Sequence, residues 1–171
     1  ADFAHGEVPV PRMSALCRAL AEGLDVRAGV RVAPVVRDGA AFRVTDERGG
    51  ALGTFDRVAI TAPAPQAAEL LAQAAPDVAA RAADVEYDPC WATLAAWDGP
   101  LPITADWHSD DAPGAVVRWA ARENAKPGRD AGERWTIQGG PQWSRRRLED
   151  DPDAVARDLV AALGAAAGVG P

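Results

Sequence analysis

The chain has 171 residues, 48% of them hydrophobic and 25% charged, enough apolar material for one domain or two small ones. No run approaches eighteen uninterrupted apolar residues, so no membrane span is predicted. A net charge of −7, with a pI near 4.8, lacks the basic footprint that phosphates require and argues against nucleic acid as a partner.

The opening stretch ADFAHGEVPVPRM has neither the basic nor the apolar region of a secretory signal. It lacks an initiator Met, which suggests a processed chain or an excised piece. Residues 12–22, RMSALCRALAE, carry Met13, Leu16, Cys17 and Leu20 at helical spacing, continued by Leu24, with Gly23 as a natural stop. Two β-type runs follow, VRVAPVV (30–36) and AFRVTD (41–46), separated by the hairpin signal Asp38-Gly39. Arg48-Gly49-Gly50 then turns the chain into ALGTFDRVAITA (51–62). The pattern predicts a three-stranded antiparallel meander whose last strand is the most deeply buried. Pro63 and Pro65 open a helix near residue 65 with Leu70 and Leu71 facing inward, and Pro76 starts another. At Tyr87-Asp88-Pro89 the Ala-rich helical region gives way to Trp-rich strands. The chain is accordingly divided into residues 1–85 and 86–171.

In the second part CWATLAAW (90–97), AVVRWAA (115–121) and ERWTIQG (133–139) read as strands. Trp135 and Ile137 share one face of the last, and Val117 and Trp119 face opposite to Val116 and Arg118. Arg145, Arg146 and Arg147, followed by Glu149, Asp150, Asp151 and Asp153, read as a locally neutralised helix entrance. Asp150 or Asp151 caps the closing helix, whose inner stripe is Val155, Leu159 and Leu163 and whose end is set at Gly164. The fold class is α/β, and α+β within this stretch: a helix and a three-stranded meander, then an antiparallel sheet with a covering helix. Cys17 and Cys90 sit in apolar surroundings and read as buried thiols of a reducing compartment, which places the protein in the cytoplasm.

Self-contained chemistry is hard to find. His5 and His108 are the only histidines, and no metal site is predicted; DWHSDD, around His108, reads as an Asp-rich loop. No serine lies in a G-x-S-x-G elbow, and the 25 carboxylates show no spacing that singles out a catalytic pair. Neither dinucleotide nor P-loop glycine pattern is present, and RGGALG (48–53) sits in a hairpin. Three of the six tryptophans fall between Trp119 and Trp143, either as a ligand wall or as the packing of a half-buried sheet.

The order of segments resembles the interior of FAD-dependent amine oxidoreductases of the renalase-like branch. The matching positions in the first part are Pro11, Met13, Ser14, Leu16, Val26, Val32, Asp56, Val58, Ile60, Pro63, Pro65, Gln66, Leu70 and Leu71, with Arg12 where the family has Gly. In the second part PCWATLAAW, RWAARENAKPGR and ERWTIQGGPQWS resemble family motifs. The resemblance covers nearly the whole chain, and APAPQA, PCWA and AKPGR are specific in combination though weak singly.

The resemblance implies part of an FAD-binding domain (1–85) and of a substrate-binding domain (86–171), with the G-x-G-x-x-G segment and a second flavin-contacting segment not included. It implies cofactor contacts at Val32, Ala62 and Pro63, and a substrate wall of Trp119, Asn124, Lys126 and Gln138. The implied chemistry is hydride transfer from a reduced nicotinamide-like or amine substrate to the flavin, with oxygen as reoxidant. By itself the chain is expected to be inactive and not to retain FAD. A small-molecule substrate is the expected partner, with a homodimer formed through exposed strand edges. The alternatives are a non-catalytic binding module that keeps only the substrate-domain sheet, and a truncated product whose apolar faces self-associate.

Overall fold

The structure, a computed structural model, describes residues 8–168; His5 lies outside the described residues. They fall into two compact units, Leu24–Tyr87 in one, and the residues up to Gly23 together with those from Asp88 onward in the other. Among the described residues there are two antiparallel sheets and five α-helices, a mixed α/β fold as expected.

In the unit 24–87, β1 (Val36–Asp38), β2 (Ala41–Thr45) and β3 (Ala51–Phe55) form the meander in sequence order. Asp38 pairs with Ala41 across the first turn, where Gly39 takes the left-handed φ of +61° that an L side chain resists. Asp46 builds the second turn: its Oδ1 accepts the N–H groups of Arg48 and Gly50, both at 2.8 Å. The predicted strand over 30–36 is mostly loop. Pro34 has no N–H to give a ladder, and only one isolated bridge, Val32 with Asp46, forms before Val36.

The third strand corrects the expectation of deepest burial. It stops at Phe55, whose ring folds back over Gly53; a Cβ on that glycine would lie 2.7 Å from the ring. Val58–Ile60 has no ladder partner among the described residues, and Val58 is 37% exposed. An apolar run asks for two covered faces, and among the described residues Val58 and Ala59 stay exposed while Ile60 is half-buried. α2 (Ala64–Leu71) and α3 (Pro76–Ala83) each carry a proline in the first turn, as read from the sequence. The N–H of Ala64 donates to Tyr87 OH at 3.1 Å.

The other unit begins with α1 (Ser14–Leu20), which ends before Gly23 at φ +80°. Its apolar stripe is not covered: Met13, Leu16 and Leu20 are all more than half exposed. Cys17 and Cys90 are exposed free thiols, which corrects the reading of both as buried. Helical periodicity names the face that would be buried but supplies no partner for it.

From Asp88 onward β4 (Ala92–Trp97), β5 (Trp107–Ser109), β6 (Val117–Arg122) and β7 (Glu133–Gly139) form an antiparallel sheet in the order β4-β7-β6-β5. α4 (Pro141–Arg146) and α5 (Pro152–Ala166) complete it. Asp151 caps α5, its Oδ1 accepting Ala154 N–H at 2.9 Å. Val155, Leu159 and Leu163 are essentially inaccessible and pack with Trp135 and Ile137 in one core. Gly164 does not end α5, which continues through Ala165 and Ala166. Gly168, at φ +72°, takes the left-handed position beyond the helix end.

The strand-to-helix corner at Gly139-Gly140 is set by close approach. A Cβ on Gly139 would meet Trp143 at 2.9 Å, and one on Gly140 would meet the Ala115 carbonyl oxygen at 2.3 Å. Ser144, fully buried beneath this corner, accepts Trp91 N–H at 3.1 Å. Gly140→Ala should therefore destabilise the chain by about 1–3 kcal/mol, read from urea denaturation. Gly99→Ala, whose added methyl meets nothing within 4 Å, is the matched control and should stay within about 0.5 kcal/mol of the parent.

Candidate functional site

Residues opposite one another in an antiparallel ladder share a face. The register puts Thr93 and Ala120 with Ile137, and Ala95 and Arg122 with Trp135, on the side covered by α5. The other side carries Leu94 and Ala121 with Thr136, Trp119 with Gln138, and Trp107 with Ala121. Toward β4 this second face is open, with Leu94 79% exposed, while toward β6 Ala121 is buried and Glu123 of the following loop reaches Thr136. A register shift between Val117 and Trp119 breaks the simple alternation in β6. It lets Val117 stay on the core side while Trp119 turns to the open one.

At the β5–β6 end of the open face lies a cleft of about 1160 Å³, lined by Trp107, Ser109, Arg118, Trp119, Lys126 and the segment Thr104–Asp106. Trp107 and Trp119 are diagonal neighbours across two strands, close enough for two indoles to share a ligand. Arg118 pairs with Asp111 and donates to Asp110 O at 3.2 Å.

One wall of the cleft is tied to the core by a buried ion pair. Glu133 Oε1 accepts Trp135 Nε1–H at 2.7 Å and both Arg122 Nε–H and Nη2–H at 3.2 Å. Arg122 also donates to Ile103 O at 2.8 Å and to Asp106 Oδ1 at 3.0 Å, so it holds the chain of 103–106 in place. Its guanidinium lies 4.9 Å from the Trp135 ring centre. Burial alone pushes the Glu133 carboxyl upward. The Trp135 and Leu101 N–H groups and Arg122 outweigh it, and the pKa ends below the ordinary carboxylate value.

A second carboxylate organises the loop after β6. Glu123 Oε1 accepts Lys126 Nζ–H at 2.5 Å and Thr136 Oγ1–H at 2.7 Å. Partial burial again works against ionisation, but Lys126 and Thr136, with the more distant charge of Arg129, pull the Glu123 pKa down.

The unit 24–87 carries its own groove, about 690 Å³, lined by Val30–Pro34, Glu47, Gln66, Glu69 and Leu70. The bridge to Asp46 is made by the neighbours of Val32: Ala33 N–H donates to Thr45 O and Glu47 N–H to Arg31 O. Among the described residues neither the N–H nor the C=O of Val32 has a hydrogen-bond partner. A peptide with donor and acceptor both free, at the edge of a groove, is a ready pair for a heterocycle edge.

The residues singled out from sequence therefore separate. Trp119 and Lys126 line the cleft, and Gln138 stands directly beside Trp119 on the open face. Asn124 braces the loop instead, its Oδ1 accepting Arg134 N–H at 3.3 Å. Val32 lines the groove; Ala62 and Pro63 do not, and Pro63 precedes α2 as its N-cap. Trp107, Ser109, Glu123, Arg122 and Glu133 escaped sequence reasoning. The alternation Trp107–His108–Ser109 was a signal, but a three-residue strand inside DWHSDD is too short to stand out from an acidic loop.

No protein-family model matches the chain. Among solved structures it is similar to a protein described as a "putative protoporphyrinogen oxidase" from Exiguobacterium sp. 255-15, with a TM-score of 0.61 at 17% identity. The match covers 94% of this chain and 36% of that one, so the chain has the fold of about a third of that oxidoreductase. At this identity the likeness is one of fold. Among the described residues no helix is long and apolar enough to cross a membrane.

The depressed Glu133 pKa has a pH consequence. A carboxylate whose folded pKa lies below its unfolded value stabilises fully above the unfolded value, and loses that contribution as pH falls through the folded one. Urea midpoints of the parent chain should hold near neutrality and fall below about pH 4. Glu133→Gln should lower the neutral plateau and flatten the acid limb. Acid limbs of equal slope in the two proteins would contradict the assignment.

Proposed function

We propose that this chain is part of an FAD-dependent oxidoreductase in which the unit 24–87 meets the adenine end of the cofactor and the open sheet face holds the substrate. The observation that carries the reading is the free peptide of Val32. Its N–H and C=O match the acceptor and donor on one edge of adenine, and the groove beside them has room for a nucleoside. The fold likeness to part of an oxidoreductase supports it, as does the sequence resemblance at the same valine.

When bound, the flavin would accept hydride from a reduced nicotinamide-like or amine substrate and pass electrons to oxygen. The protein's part is positional. Trp107 and Trp119 give a flat apolar wall for a planar group, Gln138 offers both a donor and an acceptor beside Trp119, and Arg122 fixes the segment 103–106. No side chain of the cleft is assigned a proton-transfer step.

Backbone NMR of the chain titrated with adenosine monophosphate tests the adenine reading without the flavin. Shifts should centre on the Val32 and Ala33 amides and on Gln66–Leu70, with weak, millimolar-range affinity. Shifts confined to other residues, or none at saturating nucleotide, would refute it.

A further inference from the structure

Of the 18 basic residues of the chain, counted as Lys plus Arg, 17 are arginine, and Lys126 is the single lysine. It is also the one of these that lines the Trp107–Trp119 cleft with an ammonium rather than a guanidinium. Its side chain is only 24% exposed, and the carboxylate it pairs with, Glu123, is 25% exposed. An ammonium has three N–H donors, and among the described residues Lys126 spends one, on Glu123 Oε1.

Glu123 is itself more than compensated. Thr136 Oγ1–H shares the oxygen that Lys126 uses. Arg129 adds a second positive charge acting on the same carboxylate. Arg129 Nη1 is fully buried with no hydrogen-bond partner, and among the described residues Arg129 makes no ion pair of its own. The cleft lining itself carries three cations, Arg118, Arg122 and Lys126, against two carboxylates, Asp106 and Asp111, and Lys126 keeps two N–H donors unspent among the described residues. The other cations lining the cleft are spent: Arg118 on Asp111, and Arg122 on Asp106 and Glu133.

We propose that Lys126 is an anion-binding group of the cleft, which grips the carboxylate of a flat aromatic ligand resting on Trp107 and Trp119. The two indoles select a planar ring. Three cations against two carboxylates in the lining suit a monoanion and oppose a dianion such as a phosphate monoester. This inference rests on the reading of the cleft as a ligand site, and is independent of the flavin.

The test compares 2-naphthoate with 2-naphthamide, equal in ring and differing in charge, by quenching of tryptophan fluorescence. The parent chain should bind the carboxylate about tenfold more tightly than the amide. Lys126→Met should bring the two affinities together, and Lys126→Arg should keep the preference. Equal affinities in the parent, or an unchanged preference in Lys126→Met, would overturn the proposal and leave the cleft as a neutral aromatic site. Binding of neither probe would overturn the ligand-site reading and the proposal with it. Because Lys126 is the only lysine, acetylation of the parent chain gives a second readout free of any folding defect in a variant. Naphthoate should slow its modification and naphthamide should not; equal protection by both would again overturn the proposal.

Discussion

One carboxylate oxygen, Glu133 Oε1, gathers three N–H donors on the covered side of the four-stranded sheet, one from Trp135 and two from Arg122. A charge buried there without partners would cost several kcal/mol, and breaking such a pair on one side costs about 3–5. The geometry of its surroundings is therefore held tightly. Arg122 can serve Glu133 only from the end of β6, and in doing so it reaches Ile103 and Asp106 and pins the segment that leads into β5. The edge strand, the position of Trp107 and one wall of the cleft follow from that single requirement.

The same constraint explains how the sheet acquires two unlike faces. With Trp135 anchored through its indole N–H, Ile137 falls on the same side two residues later, and α5 has a flat apolar surface on which to lay Val155, Leu159 and Leu163. Thr136 and Gln138 are then committed to the opposite side, and the shift at Val117/Trp119 brings Trp119 to join them. The tryptophans divide accordingly. Trp135 and Trp143 are core, and Trp91 is fixed at the corner through its Nε1–H to Arg147 O at 2.9 Å. Trp107 and Trp119 line the cleft. A ligand wall and a packed core are both present, on opposite faces of one sheet.

Much of this was legible in the residues. The turns at Asp38-Gly39 and Asp46–Gly50, the prolines that open α2, α3 and α5, and the i, i+4 stripe of α5 act through local chemistry, and local chemistry is written in adjacent residues. The strand ERWTIQG announced its two faces by alternation alone. What failed depended on partners. The stripe of α1 and the run Val58–Ile60 have the composition of buried segments, but among the described residues no side chain covers the first and no strand pairs with the second. The thiols of Cys17 and Cys90 were misplaced for the same reason, since apolar neighbours in sequence are not neighbours in space. The ion pairs Arg122–Glu133 and Lys126–Glu123 were invisible, because 18 basic and 25 acidic residues offer far more pairings than any spacing can rank. Of the candidate site residues, Trp119 and Lys126 come together because a strand and the loop after it bring them there. Asn124, two residues from Lys126, is drawn away to brace β7.

The division of the sheet into a sealed and an open face is the claim on which the rest stands, and the indole N–H groups report on it directly. Solvent exchange at each tryptophan Nε1–H, measured by nitrogen-edited NMR at neutral pH, should separate them into two classes. Trp135 and Trp91, both hydrogen-bonded within the unit, should exchange slowly, with Trp135 the slowest. Trp107 and Trp119 should exchange at least about a hundredfold faster, as groups that open without disturbing the core. Equal protection of Trp119 and Trp135 would contradict the account, because the open face would then be a second buried one and the cleft would not exist.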